Sequence, residues 1–241
     1  ETSDQGYAVL GNTGSENKDI SLLKIDSLGN QIWVQSYGGS QYDEARHFQE
    51  TFDGGFIISG ITKSYGYGEE DIWIIKTNAS GLIDWNVNFG EGQNDRGAQI
   101  LQTDEGGYIV IGEKYNIDLE NSDLWLLKIN SQGELSWEKT LGSTGDDRGY
   151  DIKNNRSGGY LLLGSTNSFG NGGSDIWLIN TDSDGNEIWS KTYGSSNNEY
   201  GRSIIDSDDG GYLIFATSES FGNDNTGLHN IKIDSTGLEE W

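Results

Sequence analysis

Four Gly-Gly-aromatic triplets, Gly54-Gly55-Phe56, Gly106-Gly107-Tyr108, Gly158-Gly159-Tyr160 and Gly210-Gly211-Tyr212, recur along this chain at a constant spacing of 52 residues. Gln5-Gly6-Tyr7 is a first, imperfect copy. The eight Trp obey the same period: Trp33, Trp85, Trp137, Trp189 and Trp241 form one series, and Trp73, Trp125 and Trp177 form another. A fixed period of this length marks one supersecondary unit used repeatedly. Such a unit cannot bury its apolar surface alone and stacks on its neighbours. The chain of 241 residues therefore divides into units 1–52, 53–104, 105–156, 157–208 and a partial 209–241, expected to form a single domain.

Each unit predicts four strands and no helix. A short apolar run follows the Gly pair, then a loop, then Asp71-Ile72-Trp73-Ile74-Ile75-Lys76 or its equivalent at 123–128. These runs are rich in β-branched and aromatic residues and too short for helices. A turn such as Asn78-Ala79-Ser80-Gly81 leads to a third strand, in which Trp85 and Phe89 share one face by the two-residue period. A Gly-containing connection then leads to a fourth strand around Phe48, Ile100, Ile152 and Ile204. The expected fold is all-β: a β-propeller of four-stranded antiparallel blades, either five-bladed or part of a larger ring. Four innermost strands stand where five units want five. The chain is expected to begin just after one and to stop within an outermost strand, leaving an incomplete blade open to self-association.

Composition removes several function classes. There are no Cys and two His, which excludes disulfides, thiol nucleophiles and Cys-based zinc sites. Fifteen Lys and Arg against 39 Asp and Glu give a formal net charge of -24, which repels nucleic acid and anionic membranes. No run reaches the roughly 18 to 20 apolar residues of a membrane span, so no membrane insertion is expected. With no Met at any position, the chain reads as a processed or excerpted piece.

The pattern Tyr37-Gly38, Asp53-Gly54-Gly55-Phe56-Ile57-Ile58, Ser64-Tyr65-Gly66, Asp71-Ile72-Trp73-Ile74-Ile75-Lys76, Gly81 and Trp85 recurs over nearly the whole chain. It resembles the SBBP-type β-propeller repeats of bacterial and archaeal secreted and cell-surface proteins. Lys76-Thr77-Asn78-Ala79-Ser80-Gly81 with Trp85 also resembles the tryptophan-docking motif of pyrroloquinoline-quinone propellers. The first resemblance implies an extracellular, non-enzymatic scaffold that binds protein or glycan or builds the cell surface. Three alternatives stand beside it: a lectin with repeated loop pockets, a glycan hydrolase using loop carboxylates, and a subunit of a surface fibre.

Strict repetition marks the Trp as framework, so ligand contacts are expected in the variable loops at 61–70, 113–122, 165–174 and 217–226. Tyr65, Tyr67, Tyr115, Phe169 and Phe221 are the candidate ligand-binding residues there, among Gly, Asn and Ser. The turn Asp182-Ser183-Asp184-Gly185-Asn186-Glu187 resembles the start of a calcium loop, making Asp182, Asp184 and Glu187 the candidate metal ligands and calcium the one cofactor considered. Asp43, Asp95, Asp147 and Glu199 share one repeat position and read as capping or ion-pairing groups, since a catalytic pair breaks symmetry.

Overall fold

The computed structural model describes residues 1–220 and 227–241. Their regular structure is eighteen strands, and among the described residues there is no helix. The first sheet contains β1 (Tyr7–Thr13), β2 (Asp19–Ile25) and β3 (Gln31–Tyr37). The second contains β4 (Asp43–Glu50), β5 (Phe56–Thr62), β6 (Asp71–Thr77) and β7 (Ile83–Phe89). The third contains β8 (Arg96–Gln102), β9 (Tyr108–Asn116), β10 (Asn121–Ile129) and β11 (Leu135–Leu141). The fourth contains β12 (Asp147–Asn154), β13 (Tyr160–Thr166), β14 (Asp175–Thr181) and β15 (Glu187–Tyr193). The fifth contains β16 (Glu199–Asp206), β17 (Tyr212–Ser218) and β18 (Gly227–Ile233). Each sheet is a meander in chain order, and neighbouring strands run antiparallel, as in the pairs β4 with β5, β5 with β6 and β6 with β7.

The sheets run one strand out of phase with the units, because the last strand of each unit opens the next sheet. The first sheet accordingly lacks its opening strand and has three. The fifth has three, and the last residues run back along β18, where Trp241 and Lys232 carbonyls accept from Lys232 and Glu240 amides at 2.8 Å each. Burial follows position in the sheet. Every residue of β5, β6 and β13 is buried, whereas β7 and β11 are largely exposed or half-buried.

The chain divides into two compact units, 1–110 with 127–138 and 111–126 with 139–241. The first contains a core of Ile20, Leu22, Tyr37, Phe56, Ile58, Trp73 and Ile75. The second contains Leu161, Leu163, Ile176, Leu178, Tyr193, Ile204, Ile214 and Ile231 among its core residues.

The two Trp series do different work. Trp73, Trp125 and Trp177 are 2 to 3% exposed. Trp33, Trp85 and Trp189 instead lie over the turn glycine of the following sheet. A Cβ on Gly81 would sit 2.8 Å from the Trp33 ring, one on Gly133 2.9 Å from Trp85, and one on Gly237 2.9 Å from Trp189. These glycines have φ of 76°, 83° and 77°, so both conformation and the docked indole demand Gly. Tyr37 and Tyr193 hydroxyls donate to the Gly81 and Gly237 carbonyls at 2.7 and 2.6 Å, which secures the seam within each unit.

Candidate functional site

A cleft of about 470 Å³ opens in the first unit, lined by Tyr42, Glu44, Arg46, Ile61, Lys63, Glu70 and Arg96. Four strand ends bring these residues together, the fourth being that of β8, which Arg96 opens. Glu44 and Arg46 lie on β4, Lys63 follows β5, and Glu70 immediately precedes β6. Backbone bonds fix the frame: the Lys63 amide donates to the Tyr42 carbonyl at 2.8 Å and the Asp95 amide to the Glu70 carbonyl at 2.7 Å. Register in β4 shifts between Ala45 and His47, so Arg46 is the extra residue of a bulge. Such bulges re-aim side chains beside functional sites. A second cleft of about 390 Å³, lined by Leu10, Gly11, Asn12, Ala45, Arg46, His47 and Phe48, shares Arg46 with the first.

Two carboxylates face this cleft in different company. Glu70, its side chain 13% exposed, accepts from Arg96 Nε at 2.5 Å and pairs with Lys63 Nζ at 3.1 Å. Burial pushes its pKa up, but these two cations prevail and hold it below the usual carboxylate range. Glu44 accepts from the Tyr42 hydroxyl at 2.5 Å and lies 3.4 Å from Arg46 Nη2. That hydrogen bond first, and burial second, raise the Tyr42 pKa. The cleft thus combines a carboxylate held ionised by two cations with a second carboxylate that accepts from a phenol.

Two of the loop aromatics pack on a Trp of their own sheet. Tyr65 packs on Trp73 with ring centroids 5.0 Å apart, and its hydroxyl donates to the Gly38 carbonyl at 2.8 Å. Phe169 packs likewise on Trp177 at 5.3 Å. Tyr67 is 79% exposed, Tyr115 is half-buried in β9, and Phe221 lies outside the described residues. Phe169 and Glu187 do meet, in a cleft of about 390 Å³ with Trp177, Ser190, Lys191 and Thr192.

Asp182 is occupied by its own turn. It accepts from the Asp184 and Asn186 amides and from Asn186 Nδ2 at 2.8 to 2.9 Å, and these bonds, the Asn186 side chain first, lower its pKa. Glu187 accepts from Ser190 Oγ at 2.7 Å. Among the described residues, Asp182, Asp184 and Glu187 do not form a three-ligand metal group. No described helix is long and apolar enough to cross a membrane.

Glu44 and Glu70 are absent from the sequence-based candidates, whose carboxylates were the repeated Asp43, Asp95, Asp147 and Glu199 and the acidic turn at Asp182, Asp184 and Glu187. At the repeat position of Glu44 stand Arg96, Arg148 and Tyr200, and at that of Glu70 stand Ser122 and Ser174. Departure from the repeat was the signal.

No family model matches the chain, and no curated protein does. Solved structures do match in fold. A puromycin hydrolase S511A mutant aligns with TM-score 0.55 and 12% identity over 97% of this chain, which spans 34% of that protein's length. An endo-arabinase from Bacteroides thetaiotaomicron VPI-5482 aligns with TM-score 0.54 and 12% identity, covering 97% of this chain and 92% of the other. An endo-1,4-beta-xylanase from the same organism aligns with TM-score 0.52 and 12% identity, covering 98% and 90%. At this identity the likeness is one of a propeller-like all-β fold. It corrects the expectation of a non-enzymatic scaffold: these solved structures that share the fold are enzymes, two of them glycan-cleaving by name. Reasoning from the repeat alone erred because a symmetric frame says nothing about residues that break the symmetry.

Proposed function

We propose that this chain is a glycan hydrolase on a five-bladed β-propeller, acting outside the cell, with the cleft around Glu44 and Glu70 as its sugar site. The observation that carries the reading is the asymmetry of the two carboxylates in one cleft. Glycoside hydrolysis needs one carboxylate that stays ionised, as nucleophile or base, and one proton donor to the leaving oxygen. Glu70, held by Arg96 and Lys63, is suited to the first role. Glu44, with one cation at 3.4 Å where Glu70 has two at 2.5 and 3.1 Å, is the carboxylate left for the second. Arg46 and Lys63 supply donors for sugar hydroxyls.

Five sheets cut from one repeat support the blade count. The resemblance to secreted and cell-surface repeats supports the extracellular setting, and the neighbours' names make arabinan and xylan the first substrates to try. Reducing-end release from a panel of arabinan, galactan and xylan oligosaccharides tests the proposal. Turnover of at least one glycan is expected, with Glu70→Gln and Glu44→Gln each lowering kcat about 100-fold or more while the fold persists by circular dichroism. Absence of turnover across the panel, or full activity in Glu70→Gln, would sink it.

A further inference from the structure

Asp19, Asp71, Asp123 and Asp175 lie at one repeat position, in the second strand of successive 52-residue repeats, and Asp43, Asp95, Asp147 and Glu199 follow each of them by 24 residues. Within the second unit, Asp123 and Asp147 converge on the backbone of Gly142: a Cβ there would overlap Asp123 Oδ1 and lie 2.6 Å from Asp147 Oδ2. Asp123 is 6% exposed and Asp147 fully buried. Asp147 Oδ2 accepts from the Ser143 amide at 3.0 Å and from Ser168 Oγ at 2.6 Å. Asp123 Oδ1 and Asp147 Oδ1 accept no hydrogen bond at all. Arg148, next in the chain, pairs instead with Glu113 at 2.9 Å and Asp146 at 3.6 Å.

Two buried carboxyl groups with two unused oxygens require a positive partner. Every donor present is a hard oxygen, which disfavours zinc. Magnesium demands a near-ideal octahedron, whereas calcium accepts irregular oxygen shells completed by carbonyls and water. We propose that the Asp123–Asp147 pair is a calcium site, with the unused Asp123 Oδ1 and the Asp147 carboxylate, which meet at Gly142, as its ligands. The Asp71–Asp95 pair, with Asp71 Oδ1 also unused and both residues buried, is its copy in the first unit. The Asp175–Glu199 pair is not a copy: Glu199 already accepts from Ser218 Oγ and the Ser195 amide at 2.8 Å each, and Asp175 has no unused buried oxygen.

The full chain, freed of metal by chelator and dialysis, is titrated calorimetrically with CaCl₂, with MgCl₂ as control. Its thermal midpoint is followed with and without calcium at neutral pH. Saturable calcium binding and a midpoint rise of about 5 °C are expected, both weaker with magnesium. Asp123→Asn removes one ligand charge and is expected to fold, to be more stable than wild type in chelator, and to lose most of the calcium response. No bound calcium at millimolar concentration by equilibrium dialysis of the wild type overturns the site even if the variant fails to fold. A midpoint that climbs on acidification but is blind to calcium would mean that a shared proton fills the pair, and would overturn it too.

Discussion

Gly90 has no left-handed φ, yet it tolerates no side chain: a Cβ there would overlap Asp71 Oδ1 and lie 3.0 Å from Asp95 Oδ2. Its demand for glycine comes from the buried carboxyl pair. Gly54 is the reverse case, with φ of 76° and open space within 4 Å of where a Cβ would stand. Gly90→Ala is therefore expected to cost about 1–3 kcal/mol by overpacking, and Gly54→Ala about 1–2 kcal/mol by backbone strain. Urea unfolding measures both, and added calcium separates them. The Gly90→Ala variant should lose part of the wild-type calcium stabilisation, and Gly54→Ala should keep all of it. At this scale the sequence was legible wherever a residue repeats. It was silent on Glu44 and Glu70, whose roles depend on Arg96, Lys63 and Tyr42 arriving from other strand ends.

Strand identity was readable because apolar runs, turn glycines and Trp all keep one period, and the pairing Ile58↔Ile75 with Ile74↔Val87 joins the runs the pattern picked out. The bulges at Ala45/His47, Gly149/Asp151 and Gly201/Ser203 were not readable, since a bulge is defined by the partner strand. One exchange between elements was readable only in pairs. In four repeats a Lys near the end of the repeat's second strand reaches a carboxylate in the turn before the repeat's first strand: Lys24 to Asp4 at 2.9 Å, Lys76 to Asp53 at 2.8 Å, Lys128 to Glu105 at 3.2 Å and Lys232 to Asp209 at 2.8 Å. In the remaining repeat Asn180 replaces Lys and Ser157 stands at the carboxylate's position, while Asn155, two residues earlier, donates from Nδ2 to Asn180 Oδ1 at 2.7 Å. An amide pair has replaced an ion pair without leaving a charge unpaired. Asn180→Lys alone should destabilise by about 2–4 kcal/mol, because the ammonium is then buried without its acid. Asn180→Lys with Asn155→Asp should recover at least half of that loss in a double-mutant cycle by urea unfolding. Additive effects would show that the two positions are not coupled.

The whole molecule carries a formal charge of -24, so acidification should stabilise it for two separable reasons. The first is diffuse self-repulsion, which salt screens over a Debye length of about 10 Å at 0.1 M. The second is local. Burial, and then the Asp147 and Asp146 charges, push Asp123 up to about 6. Burial, partly offset by the Tyr67 amide, and then the Asp95 charge push Asp71 up to about 6. A carboxyl with a raised native pKa holds its proton more tightly folded than unfolded. Its contribution is therefore intact below the ordinary value of 3.8 and is lost as pH rises through about 6. Asp53 works in the opposite direction but in another window: burial opposes, yet Lys76 holds it near 2, so its stabilisation is lost only as pH falls from about 4 towards 2. In chelator, then, the unfolding midpoint should rise as pH drops from 7.5 to 5. In about 0.5 M NaCl the diffuse part should shrink while the buried pairs, which salt does not reach, keep their share. Asp71→Asn with Asp123→Asn should flatten what salt leaves. If high salt alone abolishes the pH dependence, surface charge accounts for it and the buried pairs do not govern stability near neutral pH.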